Sequence, residues 1–134
     1  MTRYVAVELT IPDNEAFTVA RVLQRLGVAA VRVERAAIYE RDDEGDPNAL
    51  VERIARDEAI VNPNKHRVRL LDGGEPAAGE AWIEERSSLP DPRRPRFIAW
   101  RLFDDAGRPL ARDRVREAVE RLLCNPAIER AIIG

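Results

Sequence analysis

Cysteine is almost absent from this chain. Cys124 is the only one among 134 residues, which excludes an intramolecular disulfide and a thiolate metal site. Histidine is equally scarce: His66 stands alone, so a serine-histidine-aspartate arrangement has one available base and no local motif to support it. Aromatic residues make up 5% of the chain, which leaves Val, Leu, Ile and Ala to build most of the core. Neither sign of charge accumulates. The 22 basic and 24 acidic residues interleave to a formal charge of −2, which argues against nucleic-acid and anionic-membrane partners. No apolar run is long enough to span a bilayer, and the opening MTRYVAVELTI lacks the pattern of a secretory signal. The expected compartment is the cytoplasm.

What is present alternates between strands and helices. Tyr4 to Ile11 reads as a strand, with Val5, Val7 and Leu9 on one face and Ala6, Glu8 and Thr10 on the other. Asp13 is placed to cap a helix reaching Leu26, with Val19, Val22, Leu23 and Leu26 at helical spacing and Gly27 as its left-handed stop. Val28 to Arg41 is apolar and β-branched enough for a long second strand. Asp42 to Asp46 makes a turn, and Pro47 suits the first position of a helix through Leu50, Ile54 and Ile60, ending before Pro63. Lys65 to Leu71 completes a first unit, residues 1–71. The stretch 72–79, DGGEPAAG, has the composition of a linker.

A second unit, residues 80–134, begins with a strand at Glu80 to Arg86. Prolines 90, 92 and 95 bar regular structure from SSLPDPRRPR, residues 87–96. Phe97 to Phe103 is again a strand. Past Pro109 a helix carries Val115, Ala118, Val119, Leu122 and Leu123 on one face. Asn125-Pro126 stops it, and Ile128 to Ile133 forms the last strand.

The two units repeat one another. DDEGDP (Asp42 to Pro47) and DDAGRP (Asp104 to Pro109) agree at four of six positions with an offset of 62. The pairs Asn62-Pro63 and Asn125-Pro126 agree at an offset of 63, so one inserted residue in the second helix reconciles them. The first unit has a helix between its opening strands; the second has the proline-rich loop there. An α+β fold with an internal duplication and a truncated second copy is expected, on two sheets or one.

Candidate chemistry is thin. His66, beside Lys65 and Arg67 on a strand, reads as a solvated side chain. The acidic cluster Asp42, Asp43, Glu44 and Asp46 lacks calcium-loop spacing and reads as a turn that complements a helix dipole. Gly73-Gly74 lies in a linker and is no phosphate loop. Arg93, Arg94 and Arg96 suit a phosphate or a partner's acidic patch, or simply keep a proline loop soluble. Cys124 reads as packed and inert, and Trp82 and Trp100 as core residues.

ERLLCNPAIE, Glu120 to Glu129, resembles the end of the last helix in the PurS family, the small subunit of formylglycinamide ribonucleotide amidotransferase. The matching residues are Leu122, Leu123, Asn125, Ile128 and Glu129. The first helix resembles the family's other signature at Asp13, Val19, Leu23, Leu26 and Gly27, with Val31 following. Arg35 falls at the family's arginine position, whereas Ala37 and Ile38 replace its glycine-lysine pair. A family member is about the size of residues 1–71 and works as a self-associated dimer, so a tandem chain resembles a covalent version of that pair.

The resemblance implies a two-layer fold, a mostly antiparallel sheet with helices on one face. It implies no catalytic, cofactor or metal residues in this chain. The implied role is to bridge a glutaminase subunit and a large synthetase subunit in purine biosynthesis, with further homodimerisation as an additional contact. The residues expected at partner interfaces are Arg35, Tyr39, Asn62, Pro63, Arg93, Arg94, Asn125 and Pro126. The alternative is a small-molecule sensor with the architecture of ACT or other ferredoxin-like regulatory domains, since linked α+β units place ligands at their interface.

Overall fold

Asp13 opens the first helix as a cap should. In the computed structural model its carboxylate accepts the backbone N–H groups of Glu15 and Ala16 at 3.1 and 3.2 Å, and helix α1 spans Asn14–Arg25. The far end closes with Gly27 at φ +85°, where the Gly27 N–H reaches the Gln24 carbonyl and the Val28 N–H reaches that of Leu23. A β-carbon would be strained at that angle, which is why glycine stands there. The structure describes residues 1–86 and 89–134; Ser87 and Ser88, part of the expected irregular segment, lie outside the described residues.

Two further helices and six strands follow among the described residues. The strands are β1 (Thr2–Leu9), β2 (Arg32–Asp42), β3 (His66–Leu70), β4 (Glu80–Glu85), β5 (Phe97–Phe103) and β6 (Glu129–Ile133); the helices are α2 (Pro47–Ala55) and α3 (Arg112–Ala118). All the strands join one sheet in the order β3-β1-β2-β5-β4-β6, and every neighbouring pair is antiparallel. The fold is α+β. At its centre β2 pairs with β5 from Arg32↔Phe103 to Ile38↔Phe97, so the sheet runs unbroken from the first half of the chain into the second. None of the helices described is long and apolar enough to cross a membrane.

Alternation along β2 divides the core. Val33 packs with Ala16, Ala20 and Leu23 of α1 and with Val115 and Ala118 of α3, over Trp100, Leu102 and Ile83. Tyr39, on the same face of β2, packs with Leu50 and Ile54 of α2 over Val5 and Val7. All three helices therefore cover one face. Among the described residues the other face is closed without a helix. Ala6, Ala36 and Ala99 form a floor of small side chains, over which Tyr4, Trp82 and Phe97 meet. Ring centroids lie 6.2 Å apart for Tyr4–Trp82 and 5.2 Å apart for Trp82–Phe97, and Trp82 is 1% exposed. Burying rings of that size supplies a large apolar area without extra backbone.

Two local expectations fail for identifiable reasons. Helix α2 does not reach Ile60. Asp57 captures the Ala59 N–H with its carboxylate and the Ile60 and Val61 N–H groups with its carbonyl, turning the chain five residues early. Val61 enters the core instead, 3% exposed. The second acidic turn leads past Pro109 into a helix, as expected. Asp104 accepts the N–H groups of Ala106 and Arg108, Pro109 bridges back to Phe103, and α3 starts only at Arg112. Finally, α3 passes into a π-helical turn, Val119–Leu123, closed by the Cys124 N–H on the Val119 carbonyl at 3.2 Å. The wider turn keeps Val119 and Leu123 inside and moves Leu122 outward, to 38% exposed.

Candidate functional site

The residues expected at partner interfaces divide between structural and exposed positions. Arg35 is engaged within the chain: its guanidinium holds both carboxylate oxygens of Asp13, at 3.1 and 3.2 Å, and also pairs with Glu15. It ties the α1 cap to the sheet. Tyr39 is 6% exposed, its ring in the core under α2 and its hydroxyl's proton held more tightly than usual by burial. Arg93 and Arg94 are exposed on the proline loop, where Asp91 accepts both backbone N–H groups.

The two Asn-Pro pairs form the same turn twice. The Asn62 carbonyl accepts the N–H groups of Lys65 and His66, its side-chain oxygen accepts that of Asn64, and its own N–H donates to His66 Nδ1 at 2.9 Å. The Asn125 carbonyl accepts from Ile128 and Glu129, its side-chain oxygen from Ala127, and its N–H donates to Glu129 Oε1 at 2.9 Å. Each turn delivers the chain into an edge strand. Pro63 and Pro126 are exposed between these bonds. His66 is thereby fixed, with Nδ1 an acceptor, so its neutral form carries its proton on Nε2.

The densest polar constellation lies elsewhere, at the end of the sheet beneath the proline loop. Glu84, inward-facing beside Trp82 on β4, is 6% exposed. It accepts from Arg130 Nε at 2.7 Å and pairs with Arg96 at 3.2 Å. Arg96 also reaches Glu40 at 3.5 Å and lies over the Phe97 ring, 5.4 Å from its centroid. Tyr4 bonds Glu40 in turn, and burial followed by that carboxylate raises its hydroxyl above the ordinary tyrosine range. Arg41 Nη2 donates to the Pro92 carbonyl at 2.6 Å, tying the loop down.

A cleft of about 660 Å³ opens between this network and the loop. Six of its lining side chains are carboxylates and three are arginines, so its field is acidic. Arg94 lines it and Arg96 is already held by two carboxylates, so the place does not favour a phosphate. Among the described residues no three His, Cys, Asp or Glu side chains converge as metal ligands. The chain matches no family profile, no curated protein and no solved structure.

One signal in the sequence could have found Glu84. It occupies an inward position of β4 in step with Trp82, and an acid there needs partners. Its partners, Arg96 and Arg130, are 12 and 46 positions away and carry no local sign of the pairing.

Proposed function

We propose that this chain is a non-catalytic assembly subunit of the PurS type, bridging the glutaminase and synthetase subunits of formylglycinamide ribonucleotide amidotransferase. The observation that carries the reading is the strand order. From one edge the sheet runs β3-β1-β2, and from the other β6-β4-β5, meeting at the β2·β5 pair. Exchanging the first three strands for the last three leaves the order unchanged, as two associated copies joined in one chain would. The matching Asn62 and Asn125 turns before β3 and β6 support the same reading, and so does the helix signature at Asp13 to Gly27. The β4–β5 loop stands in place of α1, which makes the pair unequal and gives its two sides different surfaces for different partners.

The test is functional. Deleting the chain should abolish glutamine-dependent formation of the amidine and leave ammonia-dependent formation intact, and the purified chain should co-elute with both subunits. Loss of the ammonia-dependent reaction as well would overturn a purely bridging role. The acidic cleft favours a second reading, a small-molecule sensor. A large thermal shift with one amino acid or nucleotide would select it.

A further inference from the structure

Two surfaces of this chain complement one another. On α1, Phe17 is 61% exposed, and Arg21 and Arg25 follow it at intervals of four residues, so the three form one strip about 12 Å long. Both arginines are exposed, and among the described residues neither side chain meets a carboxylate. The other surface is the cleft beneath the proline loop. Leu89 lines it and is 86% exposed, with Pro90 and Pro92 beside it. Of its acids, Glu40 and Glu84 are taken by Arg96 and Arg130, and Asp42 by the amino terminus. Glu85, Asp91 and Glu129 pair with no arginine among the described residues. Against them stand Arg41, turned to the Pro92 carbonyl, and Arg94, so the balance stays acidic. Among the described residues none of α1, α2 or α3 lines the cleft, so its own chain's strip leaves it open.

We propose that α1 of one molecule seats in the acidic cleft of a second copy, with the Phe17 ring against Leu89, Pro90 and Pro92 and the two arginines facing Glu85, Asp91 and Glu129. Charge selects this pose among those open to two copies. Strip against strip brings four arginines together, because Glu15, the acid of the same helix, is bound to Arg35. Cleft against cleft sets carboxylates against carboxylates. Strip against cleft pairs unlike charges, and it covers the exposed ring and the exposed leucine in one contact. Aromatic and arginine side chains most often dominate the energetics of such contacts. The contact is head-to-tail, so each molecule in a pair keeps one free strip or one free cleft. Association therefore continues past the dimer until a ring closes. It needs no other protein and is independent of the bridging role.

The experiment is sedimentation velocity on the full chain, from micromolar to near-millimolar concentration. Species should grow with concentration and dissociate as salt rises. The double variant Arg21→Glu/Arg25→Glu, Glu85→Arg and Phe17→Ala should each weaken association by about tenfold or more. All of these side chains are exposed, so each variant should keep the wild-type melting temperature. An equimolar mixture of the double variant with Glu85→Arg should associate again, since each brings the surface that the other lacks. A wild type that stays monomeric overturns the proposal. Assembly that Glu85→Arg leaves unchanged overturns it too, by placing the contact away from the cleft. A monomer that binds phosphatidylserine–phosphatidylcholine vesicles, and loses them in the double variant, would assign the strip to a membrane instead. None of these results touches the bridging role, which is read from co-elution with the glutaminase and synthetase subunits.

Discussion

Glu8 shows how a single side chain can make stability depend on pH. Burial would raise its pKa, but hydrogen bonds from Arg69 and Arg67 across the β1·β3 pair outweigh it and hold the carboxyl below the ordinary glutamate value. A lowered folded-state pKa stabilises the native state above the unfolded value, and that stability disappears as pH falls through the folded one. Arg67 and Arg69 are 64% and 45% exposed, so screening limits the effect to about 1 kcal/mol. Glu8→Gln should therefore lower the urea midpoint at pH 7 and lower it by less in acid, below the ordinary glutamate range. An equal loss at both pH values would show that packing, not charge, holds Glu8. Glu84 is the more demanding case, because its carboxylate is almost wholly removed from water. Glu84→Gln should cost about 1–3 kcal/mol in chemical denaturation by breaking a buried charged pair. Combined with Arg130→Ala the losses should be less than additive, since both changes remove the same bond.

At the scale of the element, the π-helical turn separates two adjacent leucines that helical spacing treats alike. Leu123 is 9% exposed and Leu122 is 38% exposed. Leu123→Ala should cost about 2–4 kcal/mol in a denaturation series and Leu122→Ala less than about 1 kcal/mol. Equal costs would mean the helix continues as a regular α-helix in solution. The same contrast marks what sequence makes legible. Strands β1 and β5 were readable because alternation needs only neighbouring residues, and α1 because its cap, apolar stripe and glycine stop agree. The end of α2 was not, since Ile60 continues the apolar spacing while Asp57 breaks the backbone ladder. The two acidic turns look alike as letters, yet Asp43 receives the Gly45 N–H in one and Asp104 those of Ala106 and Arg108 in the other. Of the residues expected at interfaces, Asn62 and Asn125 form turns and stay exposed, and Tyr39 is buried in the core. The Glu84 network was hidden because it is assembled from five separate strands or their flanks.

For the whole molecule, the question is whether a chain that reads as two units folds as two. The halves share a core. Ala16, Ala20 and Leu23 of α1 pack on Trp100, Leu102, Val115 and Ala118, and β2 and β5 share seven paired positions at the centre of the sheet. Separated there, the first half would expose the apolar face of α1 and the β2 edge. The second half would expose Trp100 and Leu102, and without α1 it has one helix over three strands. A 55-residue piece buries too small a fraction of its surface to withstand that loss. Residues 1–79 and 80–134 expressed separately should each show little cooperative unfolding, and mixing them should restore helical circular dichroism and a single transition. The intact chain should melt in one step by both tryptophan fluorescence and circular dichroism. Independent folding of residues 80–134, or two separated transitions in the whole chain, would show that the β2·β5 pair joins finished domains; a single transition means that each half needs the other to close its core.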